Sequence, residues 1–209
     1  MPRLLVIGAS DLAALISHHA VLLGWEVVGF IDNRAKVGTV VAGFGSVLGG
    51  IDDVASLFKA GRFDALAIGV GYTQFTYRSE AFLRFKGHIP FANIIHDSAV
   101  IDTDTVLGEG LVILPRCAID FGCVIGDNVL LNVGVVVAHH SFVGAHSFLG
   151  PAATIAGKVL IGEQCFIGVS ATVIDSVALC DGAKIGGGDV VTTDVPTSNW
   201  HVGVPARPR

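Results

Sequence analysis

The sequence predicts a small α/β domain over residues 1–90, followed by a parallel β-helix over residues 91–209. From Ile95 to Val191 an aliphatic residue occupies every sixth position, seventeen times in seventeen. The residue after it is often glycine, and the residue four places after it is usually small. A fixed short period indicates a solenoid, and a period of six is typical of a parallel β-helix. The residues before the repeat lack this period and instead alternate strand-like and helix-like patterns.

The opening segment has the pattern of a strand–helix–strand unit with a glycine turn. The predicted strands are Arg3–Ile7, Glu26–Ile31 and Ala65–Val70, and the predicted helical stretches are Leu12–Leu23 and Thr73–Lys86. Such a unit forms a parallel sheet, whose ligands bind beyond the carboxyl ends of the strands. This places Gly8–Asp11, Asp32, Asn33 and Gly69–Tyr72 around one crevice. A helix N-terminus after Ser10 would favour a phosphate there.

The crevice also has a purely structural interpretation. A lone Gly8 is far from the G-x-G-x-x-G pattern of dinucleotide-binding turns. Asp32 is equally suited to a turn or a helix cap. The alternative is therefore an α/β domain that only packs on the β-helix.

The repeat explains its own residue pattern. Three hexads form one triangular coil of eighteen residues, and each hexad supplies one flat side and one corner. The aliphatic residue points into the lumen, and the small residue shares the lumen near the corner. Turns with positive φ suit glycine and asparagine, which predicts that conformation for Asn128, Asn132 and Gly134. The four cysteines fall mostly on small lumenal positions, so we expect buried thiols rather than disulfides or metal ligands.

The composition is that of a compact enzyme. Charged residues make up 15% and apolar residues 52% of the 209 residues, and the net charge is −5 without a basic run. Nothing therefore points to nucleic acid. The opening residues predict neither a signal peptide nor a membrane span, so we expect a cytoplasmic protein. The high apolar content suggests surface buried between subunits.

The order of motifs along the chain resembles one family of acyltransferases. V-I-G-A-S and F-I-D-N in the first domain are followed by N-I-I-H-D-S-A-V-I, the hexads, and G-V-P-A-R near the end. This series is similar to the nucleotide-sugar N-acetyltransferases that act on 4-amino-4,6-dideoxy sugars, with the sialic acid O-acetyltransferases as relatives. The resemblance implies a left-handed β-helix, a homotrimer, acetyl-CoA as acyl donor and a nucleotide-linked amino sugar as acceptor. It also implies a role in bacterial surface glycan biosynthesis.

The resemblance further implies that the first domain binds the nucleotide part of the sugar substrate. The crevice residues that we expect to contact it are Gly8, Ser10, Asp11, Asp32, Asn33 and Gly69. The family usually has more glycine and a histidine in the first turn. Ser10 and Asp11 depart from that pattern, so contacts to the phosphate or the sugar are expected to differ.

The segment Val137–Ser141 carries the catalytic hypothesis. Transfer of an acyl group from a thioester to an amine needs a base for the amine proton and donors for the developing oxyanion. Imidazole suits the first task because its unperturbed pKa is near 6.5. The resemblance places the catalytic base at His139. The residues alone also allow a surface histidine that is hydrogen-bonded at a coil corner.

Two departures from the family pattern lie near this base. The family commonly has Glu or Asp at the position of His140, which we include as a second catalytic candidate. A second family histidine, linked to contacts around the acyl group, would fall at Phe148. This chain instead has His146, which we assign to substrate binding. Either another subunit supplies the missing groups, or the acceptor or acyl donor differs from the usual pair.

The family binds acetyl-CoA along a groove between two adjacent β-helices. The matching positions are Gly157, Val169 and Gly187, where small side chains let the pantetheine arm lie close to the backbone. Glycine at these positions is equally suited to plain turns. The basic side chains suited to the CoA phosphates are Arg207, Arg209, Lys158 and Lys184.

Four other functions are compatible with the sequence. They are O-acetylation of a sialic acid or another sugar hydroxyl, transfer of a different acyl group, non-catalytic binding by a trimer, and a carbonic-anhydrase-like activity. The last would place histidines from two subunits on a metal, with His139, His140 and His146 as the available ligands. Nothing in that enzyme type calls for the α/β domain, and we expect no metal.

Overall fold

The computed structural model describes residues 1–209, which divide into two compact units. The first unit is Met1–Ile94 and the second is Ile95–Arg209. The division lies four residues after the end of the predicted first domain at residue 90. None of the helices is both long enough and apolar enough to cross a membrane.

The first unit is a four-stranded parallel sheet with three α-helices. In chain order its elements are β1 (Arg3–Ile7), α1 (Asp11–Leu22), β2 (Glu26–Ile31), β3 (Val47–Gly49), a 3₁₀ turn (Ile51–Asp53), α2 (Val54–Lys59), β4 (Ala65–Ile68) and α3 (Phe75–Phe85). The strand order is β3-β2-β1-β4, and all pairs are parallel. The sequence pattern missed β3 and α2, because three and six residues are too short to show a period.

The sheet of the first unit is buried on both faces at β1 and β4. Every residue of β4 is buried, as are the last four residues of β1. Continuous apolar strands of this kind are typical of parallel sheets covered by helices. Arg78 of α3 is also buried, and its guanidinium donates to the Val70 carbonyl oxygen at 3.0 Å. Burial lowers the pKa of Arg78 to about 10.

The second unit is a parallel β-helix of three sheets, built from strands of two residues except for Trp200–Val202. The first sheet contains Val100–Ile101, Ala118–Ile119, Val136–Val137, Thr154–Ile155, Thr172–Val173 and Val190–Val191 (β6, β9, β12, β15, β18, β21). The second contains Val106–Leu107, Val124–Ile125, Phe142–Val143, Leu160–Ile161 and Ala178–Leu179 (β7, β10, β13, β16, β19). The third contains Val112–Ile113, Leu130–Leu131, Phe148–Leu149, Phe166–Ile167, Lys184–Ile185, Trp200–Val202 and Arg207–Pro208 (β8, β11, β14, β17, β20, β22, β23). A further short strand, β5 (Ile94–Ile95), lies where the two units divide.

Between Val100 and Val191, each strand of the β-helix pairs with a strand eighteen residues away, as Val124 does with Phe142. The aliphatic residues of the repeat fill the lumen, and those from Ile113 to Val191 are at most 4% exposed. The small positions share the lumen and are buried as well, including three of the four cysteines, all of which are free. Burial raises the pKa of the Cys165 thiol to about 12.

The turns follow the same period, with one correction. A residue with positive φ occurs three places after each lumenal aliphatic from Gly110 to Gly188, and it includes Asn128 and Gly134 as predicted. The prediction for Asn132 is wrong, because Asn132 is not among these residues and its side-chain oxygen accepts the Val133 N–H at 2.8 Å. Glycine recurs directly after the aliphatic residue for a different reason, the close approach of the next coil. A Cβ on Gly144 would collide with the backbone of Gly162 in that coil.

Candidate active site

His139 and His140 lie at one corner of the β-helix, between the first and second sheets. Since the coil repeats every eighteen residues, Phe121 and Gly157 occupy the positions before and after His139 along this corner. Gly122 and Lys158 flank His140 in the same way. His139 is half-buried and His140 is exposed. We call His139 and His140 with these four neighbours the histidine corner.

The two imidazoles contact each other directly. Nδ1 of His139 lies 3.1 Å from Nδ1 of His140, and the rings are nearly perpendicular at 87°. Phe121 packs on both of them: its ring stacks on His139 with an interplanar angle of 19° and meets His140 edge-on at 74°. The contact between the Nδ1 atoms leaves Nε2 of His139 as the ring nitrogen available to a substrate.

Two glycines make room for these rings. A Cβ on Gly157 would lie 2.6 Å from Nε2 of His139, and a Cβ on Gly122 would lie 2.8 Å from Cδ2 of His140. Both distances are shorter than any normal carbon contact. Gly157 is thus placed against the ring of His139, whereas the sequence alone suggested only a contact to the acyl donor.

The carboxylates near this corner are engaged by the backbone. Asp104 accepts from the Gly122 N–H at 2.8 Å, Asp120 accepts from the Phe121 N–H at 2.9 Å, and Asp175 accepts from the Gly157 N–H at 2.9 Å. The only two salt bridges of the chain, Arg3–Asp64 and Arg84–Asp52, lie in the first unit. The partner of His139 in this structure is therefore His140, not an acid.

A shallow depression of about 320 Å³ follows the first sheet toward the histidine corner. Its floor is mostly small or aliphatic, and it reaches Ala138, the residue next to His139. Its lining residues are Val100, Asp102, Ala118, Ile119, Asp120, Val136, Val137 and Ala138. The sequence offered a signal for this feature, because the outward positions Ala118, Val136 and Ala138 are small or medium-sized and recur with the repeat.

His146 lies on a different corner, between the second and third sheets. It is 5% exposed, and its Nδ1 lies 3.0 Å from Nδ2 of Asn128. An amide nitrogen only donates, so this contact makes Nδ1 of His146 the acceptor. Burial of this kind does not favour the direct substrate contact that we predicted. Phe148, where the family histidine would fall, is buried and stacks on Phe166 at 5.3 Å.

Val169 and Gly187 are neighbours at the corner between the third and first sheets. A Cβ on Gly187 would lie 2.9 Å from Cγ1 of Val169, and Val169 is exposed. Gly157 is on the opposite edge of the first sheet. Within one chain, the three residues predicted to contact the acyl donor are therefore split between two corners.

The first unit has a separate cavity of about 300 Å³ at the carboxyl ends of β1, β2 and β4. Its lining residues are Gly8, Ala9, Ser10, Ile31, Asp32, Asn33, Arg34, Val70, Gly71, Gln74 and Tyr77. Four predicted substrate residues, Gly8, Ser10, Asp32 and Asn33, are among them. Asp11 and Gly69 are not: Asp11 begins α1 outside the cavity, and buried Gly69 packs behind Gly8.

Most predicted polar residues of this cavity already bind the backbone. The Asp32 carboxylate accepts from the N–H groups of Ala9 at 3.0 Å, Arg34 at 2.7 Å and Ala35 at 2.9 Å. The Asn33 side-chain oxygen accepts from the Ile51 N–H at 2.8 Å, and the Ser10 hydroxyl donates to the Gly69 carbonyl at 3.1 Å. These side chains build the wall of the cavity.

Sequence reasoning missed three cavity residues that have functional groups, Arg34, Gln74 and Tyr77. Arg34 is exposed and belongs to neither salt bridge. Burial, with a contribution from Asp32, raises the pKa of Tyr77, which keeps its hydroxyl protonated. The signal for Arg34 was its place directly after Asp32 and Asn33, whereas Gln74 and Tyr77 come from the start of α3.

The alternative with a metal would need clustered ligands. No group of three or more His, Cys, Asp or Glu side chains lies close enough to hold a metal ion within this chain. His139 and His140 form a pair, and His146 is on another corner.

Comparison with known proteins agrees with the geometry. The hexapeptide repeat of succinyl-transferase matches residues 158–193. A variant of GDP-perosamine N-acetyltransferase from Caulobacter crescentus, solved with CoA and GDP-perosamine, is 30% identical with a TM-score of 0.93, covering 100% of this chain and 97% of that one. The chain belongs to the nucleotide-sugar N-acetyltransferase family. The predicted family, and its fold of an α/β domain followed by a left-handed β-helix, are confirmed.

A second member of this family is similar over the same length. The acetyltransferase domain of PglB from Neisseria gonorrhoeae FA1090, solved with acetyl coenzyme A, is 27% identical with a TM-score of 0.90, covering 99% of this chain and 98% of that one. No curated protein sequence matches the chain. Both matched structures thus span the two units and not the repeat alone.

Proposed function

We propose that this protein transfers an acetyl group from acetyl-CoA to the amino group of a nucleotide-linked 4-amino-deoxy sugar. The observation that carries the proposal is the match over the whole chain to an enzyme solved with CoA and GDP-perosamine. An imidazole whose Nε2 is unengaged, beside a depression along the β-helix, is consistent with it.

The chemistry assigned to the histidine corner is direct acyl transfer. The sugar amine attacks the thioester carbonyl carbon, Nε2 of His139 takes the proton that the amine loses, and the proton then passes to the leaving CoA sulfur. A backbone N–H of a neighbouring coil stabilises the oxyanion. No covalent enzyme intermediate is needed. The buried thiols of Cys123 and Cys165 have raised pKa values, so they stay protonated and are poor nucleophiles.

The acyl donor site requires more than one copy of the chain. Gly157 lies on one edge of the first sheet, and Val169 and Gly187 lie on the other. A groove between adjacent β-helices of a homotrimer brings one edge of one copy against the other edge of its neighbour. Exposed apolar side chains on the second sheet, Phe142 and Leu160 at 40% and 55% exposure, suit such an interface.

The cavity of the first unit is the proposed nucleotide site. Arg34 supplies the positive charge for a phosphate, and the N-terminus of α1 begins at this edge of the sheet. Gln74 and Tyr77 add hydrogen-bonding groups for the base or the ribose. We place the reaction in the cytoplasm, where acetyl-CoA is available, and its product in surface glycan synthesis.

A CoA-release assay tests the proposal. Acetyl-CoA is offered with UDP-, GDP- and dTDP-linked 4-amino sugars, and with sialic acid as a hydroxyl acceptor. We expect rapid release with one amino sugar and none with sialic acid. If only sialic acid gave CoA release, O-acetylation would replace N-acetylation. If none of the acceptors gave CoA release with any acyl-CoA, acyl transfer would be contradicted.

A further inference from the structure

The contact between the two imidazoles restricts where their protons lie. Two Nδ1 atoms at 3.1 Å share one hydrogen, so one ring donates and the other accepts. If His140 donated, the neutral ring of His139 would carry its hydrogen on Nε2 and could not act as a base there. If His139 donates from Nδ1, its Nε2 keeps a lone pair that can accept a proton.

We propose that His140 is a positioning residue: its neutral Nδ1 accepts the Nδ1–H of His139 and holds His139 in the tautomer that is basic at Nε2. This rests on the proposed function, in which His139 takes the amine proton. In this chain an imidazole therefore fills a role that carboxylates fill in other enzymes with a histidine base. The same hydrogen bond remains when His139 becomes a cation, because Nδ1 still carries its hydrogen.

The surroundings hold the ring of His140 against the ring of His139. Its backbone is left-handed with φ of 57°, and its ring edge lies against Gly122. Phe121 packs on both rings and fixes their perpendicular arrangement. Loss of either the acceptor atom or this packing would let the His139 ring rotate or change tautomer.

No charged group takes the place of His140 as the partner of Nδ1 of His139. Lys158 follows His140 one coil further along the corner and is exposed. The carboxylates of Asp104, Asp120 and Asp175 are engaged by the backbone N–H groups of Gly122, Phe121 and Gly157. Cys123, the nearest lumenal thiol, contacts the carbonyl oxygens of Val137 and Ala138.

Three substitutions at one position test the proposal. His140→Ala removes the acceptor, and we expect kcat to fall by about 10–100-fold with little change in KM, since a misplaced base costs about 10²-fold. His140→Asn keeps an acceptor oxygen and tolerates positive φ, so it should restore kcat to within about fivefold of the wild type. Alanine is less suited than asparagine to the φ of 57° at this position, so a structural role is tested separately, by the pH profile and the tautomers described below.

The third variant, His140→Asp, gives a readout in pH. A carboxylate at position 140 stabilises the imidazolium of His139, so in this variant the neutral, basic form of His139 forms only at higher pH. The acid limb of the kcat/KM profile should therefore move to higher pH in His140→Asp and stay near the wild type in His140→Asn. A profile that does not move in His140→Asp would contradict the contact.

A spectroscopic measurement keeps this proposal separate from the proposed function. In ¹⁵N NMR of histidine-labelled protein at alkaline pH, His139 should be protonated at Nδ1 and His140 at Nε2, with signals assigned from His139→Gln and His140→Asn. The opposite tautomer at His139 would overturn the inference, as would His140→Ala with full activity. If the wild type releases no CoA, the proposed function fails, but the tautomers seen by NMR still show whether His140 accepts the Nδ1–H of His139.

Discussion

The cavity of the first unit and the histidine corner of the second unit hold their polar side chains in different ways. In the cavity, Asp32 accepts three backbone N–H groups and Asn33 accepts one, so these side chains fix the turns around the opening. At the corner, three aspartates also accept backbone N–H groups, whereas the two imidazoles bind no backbone group and lie against each other and Phe121.

This difference separates stability from function. Where a polar side chain satisfies the backbone, removing it changes the shape of the site and the stability of the unit together. Where a side chain on the β-helix binds no backbone group, as with the two imidazoles, it can be exchanged with little effect on folding. The comparison predicts that substitutions of His139 and His140 act mainly on turnover, and that substitutions in the cavity act on stability unless they affect Arg34.

The largest effect is expected from His139→Ala. Loss of a general base lowers kcat by about 10²–10⁴-fold with a much smaller change in KM. Thermal unfolding should be nearly unchanged, because the side chain is half-buried and makes no hydrogen bond to the backbone. His88→Ala, at an exposed histidine of the first unit, is the matched control. Near-normal turnover in His139→Ala would remove this residue from the mechanism.

A smaller effect is expected from Gly157→Ala. The new Cβ would lie 2.6 Å from Nε2 of His139, so the ring must move away and kcat should fall by about 10–100-fold. Because the displaced atoms are the end of a side chain, the free energy of unfolding should change by less than about 1 kcal/mol.

Gly182→Ala is the control for Gly157→Ala, because it should change stability and not turnover. Gly182 has φ of 70°, and a Cβ there would meet only the Ser198 Cβ, at 3.4 Å. Alanine there should therefore cost about 1 kcal/mol in backbone strain and leave turnover intact. Equal kcat in Gly157→Ala and the wild type would mean that the glycine is not needed for the placement of His139.

The smallest effects come from a pair of cavity variants. Asp32→Ala leaves three N–H groups without their acceptor and should destabilise the first unit by about 1–2 kcal/mol, weakening nucleotide-sugar binding as a consequence. Arg34→Ala should leave unfolding within about 0.5 kcal/mol and raise the KM for the nucleotide sugar about tenfold. Unfolding and KM measured on both variants check the pair. A stable Asp32→Ala protein with tenfold weaker binding would make Asp32 a ligand contact instead.

The β-helix could be predicted because its contacts follow the six-residue period of the sequence. Each lumenal residue meets the residues eighteen places away, so three periods of six residues also give the register of all three sheets. The same period predicts a left-handed residue at each corner, which His140 and His146 occupy. In the first unit no period exists beyond single elements, and the short strand Val47–Gly49 was missed for that reason.

The sequence could predict where the site residues lie, but not which hydrogen bonds and contacts their side chains make. The sequence determined that His139 and His140 share a corner and that Gly8, Ser10, Asp32 and Asn33 share a sheet edge, since both follow from periodicity and strand order. Only the tertiary structure decided which of these side chains are engaged. Whether a carboxylate accepts backbone N–H groups, whether Asp11 and Gly69 reach the cavity, and whether two Nδ1 atoms meet depend on distances of a few tenths of an ångström. Hydrogen bonds and packing fall off over such distances, and no residue pattern encodes them.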